Sequence, residues 1–365
     1  MRVGFFPADN ENQRWGRDIH PWSRLATDAL IEAGCKVTCL SRDGLKNISA
    51  RSELDIIHLN WPQALMQARS ARLRRPVWKR FYAQWFVARC KLTMRRLRQA
   101  KIPVVWQVHD LPYAADPVDR DLMTFLFRQF YSLADGLLFY EESAKEPFYE
   151  VFGSSRDKIV GRAPLGDYTR LHGPIKSKEA ARKSSGFESP GKIFFYPGTV
   201  RWTRSPASFI HAFASRAGQS DVLVVSGRGT NAFSDLAIAD RVIVKPGMIE
   251  HDEFRDLICA SDFVVNDAPQ YLGSAIIRAA MGYGVPVVAR RFGCTQDMAN
   301  GACVDIPDGP EGIGQAIDAA LALTQDQYQR MSYRAFENHR ARPWSGYAAG
   351  CVSIYDQVIC SARNL

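Results

Sequence analysis

Apolar residues along this chain come in short uninterrupted runs, and between many of those runs they recur with helical period. Arg2–Phe6 reads as a buried strand. After a polar loop, Trp22–Ala33 has helical spacing, stops at Gly34 and leads into a strand at Lys36–Leu40, which completes one βαβ unit. Further strands are expected at Asp55–Leu59, Pro103–Val108 and Gly136–Tyr140, with a weaker one at Lys158–Val160. Apolar runs of this kind, separated by helical stretches, build a mostly parallel sheet covered on both faces.

The segment from Tyr168 to Gly191 is polar and brings Gly, Pro, Ser and Lys in quick succession, the composition of a linker. Beyond it the pattern restarts. Strands are expected at Lys192–Tyr196, Asp221–Val225, Arg241–Val244, Asp262–Val265 and Val285–Ala289. Helices are expected at Ser205–Ala217, Asp252–Ala260, Ser274–Met281, Pro310–Leu323 and Gln325–Arg340, with a terminal helix over Trp344–Ile359. A chain of 365 residues exceeds the size at which one core usually stops growing. The expected class is therefore α/β: two doubly wound Rossmann-like domains facing a central cleft. The first covers 1–168, a linker 169–190, the second 191–343, and residues 344–365 form a helix that crosses back to the first domain. Ligands of open parallel sheets bind beyond the carboxyl ends of the strands, which locates the site but not its chemistry.

Composition narrows the partners. The formal charge is +9 and asks for an anionic one. The start, Met1–Gly16, has no cationic region followed by a long apolar run, and no apolar run reaches the length of a spanning helix, so the chain is expected on the cytoplasmic side. The eight cysteines show no CxxC spacing and no Cys/His ligand pattern; they read as buried free thiols, and no metal site is expected. The charge is concentrated. Between Arg69 and Lys101 lie twelve Lys and Arg residues and no Asp or Glu, interleaved with Leu73, Trp78, Phe81, Tyr82, Trp85, Phe86, Val87 and Leu92. A helix with aromatic and aliphatic side chains on one face and cations beside them suits the headgroup boundary of an anionic membrane. A solvated basic helix is the plainer reading. Nucleic acid is disfavoured because no recognisable reading module accompanies the charge.

Candidate chemistry sits where strands are expected to end. His109 and Asp110 directly follow the strand Pro103–Val108, where a base or a ligand of sugar hydroxyls would stand. His20 lies in the opening loop, with Arg14 and Arg17 nearby as contacts for an acceptor phosphate. In the second half, Pro197–Arg204 joins a strand to a helix. Gly198 permits close approach there, and Arg201 and Arg204 offer guanidinium groups to a diphosphate. Ser226–Gly229 is a second turn of the same sort. The sharpest local feature is Asn266–Ala275, whose Gln270, Tyr271, Leu272, Gly273 and Ser274 lead into a small-residue helix with exposed N–H groups at its start. Each of these segments also has a plain structural reading as a turn, a cap or a polar loop.

The ordered set of segments resembles the GT-B glycosyltransferases, especially the large family 4 group of nucleotide-sugar enzymes, over nearly the whole chain. Gly198-Thr199 with Arg204-Ser205 is similar to that family's diphosphate turn, Arg204 standing for its lysine and Thr199 replacing its arginine, with Arg201 as a compensating cation. Ser226–Gly229 resembles its Gly-x-Gly turn through Gly227 and Gly229, and Pro246–Ile249 its base-binding loop through Gly247 and Met248. Ala280–Gly282, Gly284–Val288, Trp344 and Tyr355 fit its later landmarks. One departure bears on mechanism: where the family carries two glutamates flanking seven residues, this chain has Gln270 and Arg278. In the first half, Asp55–Pro62 and Pro164–Tyr168 resemble segments of bacterial exopolysaccharide glycosyltransferases, including the xanthan-type β-mannosyltransferases.

The resemblance implies hexosyl transfer, with GDP-mannose the favoured donor, to a polyprenyl-diphosphate-linked oligosaccharide at the inner face of the plasma membrane. It implies no cofactor beyond the nucleotide-sugar donor and no nucleic-acid partner. Missing the paired glutamates, the chain is expected to invert configuration, with Asp110 or His20 as base and His109 orienting a hydroxyl. The alternatives are glucosyl or glucuronosyl transfer from a UDP-sugar, or a noncatalytic protein binding a nucleotide sugar or an anionic lipid. A GT-B epimerase or phosphorylase is a further enzyme reading; the first gives the basic aromatic stretch no task, and the second lacks a visible cofactor lysine.

Overall fold

The computed structural model of the chain describes residues 1–7, 21–49, 53–65, 76–112, 117–154, 157–187, 189–200, 205–236 and 241–363. The chain divides into two compact units, Met1–Pro164 with Trp344–Leu365, and Leu165–Pro343.

The first unit runs β1 (Arg2–Phe6), α1 (Pro21–Glu32), β2 (Lys36–Cys39), α2 (Arg42–Lys46), β3 (Ile56–Leu59), α3 (Pro76–Ala100), β4 (Val104–Gln107), α4 (Pro117–Leu133), β5 (Gly136–Phe139), α5 (Lys145–Phe152) and β6 (Ile159–Arg162). All its strands are parallel, in the order β2-β1-β3-β4-β5-β6. β1, β3, β4 and β5 are buried on both faces, which explains why they read as unbroken apolar runs. Trp106 of β4 anchors one layer, ringed edge-on by Phe127, Phe130 and Phe148.

The second unit runs α6 (Thr169–His172), α7 (Lys178–Ser185), β7 (Ile193–Pro197), α8 (Ala207–Arg216), β8 (Val222–Gly227), β9 (Val242–Pro246), α9 (His251–Ala260), β10 (Phe263–Asn266), α10 (Ala275–Gly282), β11 (Val287–Ala289), α11 (Thr295–Met298), β12 (Cys303–Asp305), α12 (Gly312–Ala322) and α13 (Gln325–Arg340). Its parallel sheet has the order β12-β11-β10-β7-β8-β9. The core between sheet and helices joins Phe194, Tyr196, Phe209, Phe213, Leu223, Phe263 and Ile317. Burying each such side chain contributes about 1.5–3 kcal/mol.

The last helix, α14 (Trp344–Arg363), belongs to the first unit, where it packs on α1 and on β4, β5 and β6. The close approach is made by small residues. A Cβ on Gly350 would lie 2.2 Å from the Arg162 carbonyl oxygen, and one on Gly136 would lie 2.8 Å from Val358.

Three features differ from the sequence expectation. The segment read as a linker, 169–190, belongs to the second unit. It carries α6 and α7, and α7 lies against α9. Several of its polar side chains are held in ion pairs: Lys178 and Arg182 each reach Asp262 at 2.8 Å, and Lys176 reaches Asp256 at 2.7 Å. The strand Cys303–Asp305 was not expected, because three residues ending in an aspartate make no apolar run. Finally, the cysteines are free, but Cys39 and Cys360 are exposed rather than buried.

Candidate active site

In both sheets the chain winds outward from the middle in two directions, and a crevice opens where the direction reverses. In the second unit that point lies between β7 and β10, because β8 and β9 extend one way and β11 and β12 the other. The turns after β7, β8 and β9 are knitted into one surface. Gly198 N–H donates to the Ser226 carbonyl at 2.8 Å, Val200 N–H to the Arg228 carbonyl at 2.9 Å, and Gly247 N–H to the Gly227 carbonyl at 3.1 Å. Gly227, at φ +135°, is compulsory: a Cβ there would stand 2.0 Å from the Gly198 carbonyl oxygen. The structure thus brings Gly198, Thr199, Gly227, Gly229, Gly247 and Met248 together along one rim, with the Thr199 and Met248 side chains exposed. Arg201 and Arg204, expected as the diphosphate cations, lie outside the described residues.

On the other side of the crevice, Asn266–Ser274 connects β10 to α10. Ser274 caps α10, its Oγ accepting from the Ile277 N–H at 3.2 Å and from the Asn266 amide at 3.2 Å. The first N–H groups of that helix have no partner within it and face the strand ends. The two sides are bridged by the Tyr196 hydroxyl, which donates to the buried Asp267 carboxylate at 2.5 Å. That places a carboxylate directly at the switch point, held by the tyrosine two residues before Gly198.

Other expected donor residues divide by direction. Gln270 is exposed at the loop's tip. Tyr271 is buried, its hydroxyl on the Arg290 carbonyl at 3.1 Å and on Thr295, and Leu272 is wholly buried, so both shape the loop from within. Arg278 is turned away from the turns. Its guanidinium is fully buried and donates to the carbonyls of Gly166, Asn338, His339 and Arg342 at 3.1–3.4 Å, closing the carboxyl end of α13. A cation suits that position because the last helix carbonyls have no partner of their own.

In the first unit the reversal lies between β1 and β3. Asn60, one residue past β3, is its hub. The Asn60 amide donates to the Phe6 carbonyl at 2.9 Å, so its Oδ1 is the acceptor for both His58 Nε2 and His109 Nε2, each at 3.1 Å. Tyr355 and Tyr140 hydroxyls donate to the opposite ring nitrogens, Nδ1 of His58 and of His109. Asn60 Oδ1 thus accepts an Nε2 proton from each ring, and His58, buried throughout, is neutral. Burial pushes His58 down to about 3, in the same sense. His109 is further enclosed by Trp22 and Trp61, whose ring centroids lie 4.5 and 4.3 Å from its own. Both of its nitrogens hold the scaffold. Asp110, the next residue, is half-buried on the turn after β4. The wholly buried Glu141 carboxylate, two residues past β5, lies 3.9 Å from Arg162. His20 lies outside the described residues. Sequence reasoning gave no role to Asn60, Tyr140 or Glu141, although Asn60 and Glu141 directly follow apolar runs and Tyr140 ends one.

Among solved structures, sucrose-phosphate synthase from Thermosynechococcus elongatus superposes with a TM-score of 0.69 at 16% identity, covering 99% of this chain and 100% of that one. HepE from Anabaena, in a complex with UDP-glucose, gives 0.66 at 14% identity over 100% of both chains. The α,α-trehalose 6-phosphate synthase of Burkholderia multivorans gives 0.62 at 12%, covering 99% of each. The fold is GT-B. At these identities the likeness is one of fold, and no family profile and no curated protein matches the sequence. The glycine-lined rim of the second unit combines backbone groups at a switch point with the start of α10 and the exposed Thr199 and Met248. Among the described residues no helix is long and apolar enough to cross a membrane, and no group of three or more His, Cys, Asp or Glu is arranged to hold a metal ion.

Proposed function

We propose that this protein is a glycosyltransferase that moves a hexosyl group from a nucleoside diphosphate sugar to an acceptor hydroxyl. The observation that carries this reading is the joined rim Gly198–Gly227–Gly247 beside the Ser274-capped helix, where a diphosphate can approach bare backbone on one side and a helix N-terminus on the other. The donor is a UDP-sugar, glucosyl or glucuronosyl, in place of the GDP-mannose that the resemblance implies. Support comes from HepE, a fold relative described in complexes with UDP-glucose and with UDP. The acceptor is a polyprenyl-diphosphate-linked oligosaccharide at the cytoplasmic face of the membrane, a reading supported by the concentration of cations in the first half of the chain.

In this reading the acceptor oxygen attacks the anomeric carbon and the bond from that carbon to the β-phosphate oxygen breaks. The negative charge that develops on UDP is met by Arg201, Arg204 and the start of α10. Asp110 takes the acceptor proton, giving inversion. His109 is a positioning residue, since both ring nitrogens serve Asn60 and Tyr140.

The test is a donor panel of UDP-glucose, UDP-glucuronate and GDP-mannose with membrane-extracted polyprenyl-linked oligosaccharides, the product linkage read by NMR. Transfer from a UDP-sugar with a β-linkage is expected. Transfer from GDP-mannose alone overturns the donor assignment, and an α-linked product overturns the role of Asp110. UDP-sugar binding without transfer to acceptors that a known enzyme consumes would make this a binding protein.

A further inference from the structure

Helix α3 has two apolar faces. Residues spaced by three and four share one side of a helix, and Phe86, Cys90, Met94 and Leu97 form the side that is buried within the first unit, against α2 and α4. Phe81, Trp85, Ala88 and Leu92 repeat the same spacing about half a turn away and face solvent. Phe81 is 66% exposed, Trp85 47% and Leu92 49%. A helix that serves only to cover a sheet has no use for this second stripe, because its outer face would ordinarily be polar.

The stripe is bordered by cations. Arg89 and Arg96 lie on one flank and Lys91 and Arg95 on the other, all exposed, and no Asp or Glu occurs anywhere from Arg69 to Lys101. Arg89 lies over the Trp85 ring with its guanidinium carbon 4.7 Å from the centroid, which keeps the cation level with the aromatic surface. The Arg96 guanidinium reaches the Lys46 carbonyl at 3.2 Å, which fixes one flank to α2.

We propose that this outer face of α3 seats the protein on an anionic lipid surface, with Phe81, Trp85 and Leu92 entering the headgroup boundary and the flanking Arg and Lys meeting lipid phosphates. The helix lies flat: 25 residues extend roughly 37 Å along the surface. Charge complementarity selects the occupant. A second copy of the chain meeting this face across a two-fold axis would oppose like charges with no acidic residue to offset them. A nucleic acid would answer the charge, but Ala88 and Leu92, which continue the stripe beyond the two rings, offer no stacking platform. The inference deepens the lipid-linked acceptor reading and rests on it for its purpose, but it needs neither donor nor turnover to be tested.

The experiment is co-sedimentation of the purified full chain with extruded vesicles, of phosphatidylcholine alone or with one third phosphatidylglycerol, without nucleotide sugar. Binding at least tenfold tighter to the anionic vesicles is expected. Phe81→Ser with Trp85→Ser and Leu92→Ser should reduce it at least tenfold. Arg89→Gln with Lys91→Gln and Arg95→Gln should reduce it similarly and flatten its salt dependence. The urea unfolding midpoint should be the same in both variants as in the parent chain, showing that they fold. Equal binding to the two vesicle types, unaltered binding by the triple serine variant, or binding to an oligonucleotide with none to vesicles would each overturn the proposal. So would self-association that the serine variant abolishes while vesicles are ignored. Vesicle binding without sugar transfer leaves this surface standing and counts against the acceptor assignment; transfer without vesicle binding does the reverse.

Discussion

Single side chains account for most of what the two switch points can do. Asn60 fixes the proton position of two histidines with one oxygen, a role no spacing rule announces, since it depends on a carbonyl of Phe6 and on a tyrosine near the far end of the chain. Neutral burial has a pH signature. His58 is held down to about 3 and His172 to about 4, in both cases chiefly by burial, with the neighbouring His251 adding to the effect at His172. The unfolded chain, with ordinary histidines near 6.5, therefore binds more protons than the folded one below neutrality. The stability these groups contribute is complete above about pH 6.5 and is lost as pH falls toward 4, at roughly 1.4 kcal/mol per pH unit for each proton. Urea midpoints measured between pH 7.5 and 4.5 should fall accordingly, and a flat profile would refute the neutral assignment. Arg278 is a second case in point. The sequence shows an arginine where relatives of the resembled family carry glutamate, and only the fold reveals four carbonyls around it. Arg278→Glu should destabilise by about 3–5 kcal/mol in urea unfolding, as loss of a buried charged partner does. Gly227→Ala should cost UDP affinity at least tenfold in calorimetry, since its Cβ would force the Gly198 turn apart.

Among the elements, strands buried on both faces were the most legible, because a continuous apolar run has few other interpretations. β12 escaped for lack of such a run, and α7 escaped because it is short and polar and is anchored through Lys178 and Arg182 to Asp262 and through Ser184 to Asp256. The turns after β7 and β8 were readable from their glycines, whereas their mutual hydrogen bonds were not. Helix caps allow a clean comparison. Ser274 caps α10 at the switch point, and Thr324 caps α13 in a reciprocal box with Gln327. Replacing either by Ala should cost about 1 kcal/mol of stability by chemical denaturation. Only Ser274→Ala should also weaken UDP binding in calorimetry. Equal effects of the two on UDP would remove α10 from the donor site.

At the scale of the whole molecule, the first unit is built from two distant pieces of chain, residues up to Pro164 and the helix that begins at Trp344. That helix supplies Tyr355 to His58, places Tyr347 against Trp22, and fits by the bare backbone of Gly350 over Arg162. Gly350→Leu should therefore destabilise the first unit by more than about 3 kcal/mol, an overpacking cost at the top of the usual range. Limited proteolysis should then cut within residues 1–164 first. A variant cut first in residues 165–343 would contradict the assignment of α14.

The divided first unit also has a consequence for the order of events during synthesis. Ribosomes release the chain from its amino end, so the sheet β1–β6 emerges early and stays without its closing helix until the whole second unit has been made. In that interval the apolar strip of β5 and β6 that Ile354 and Val358 later cover is open to water. The nascent first unit is thus a natural client for a chaperone, whereas the second, drawn from one continuous stretch, can fold as it appears.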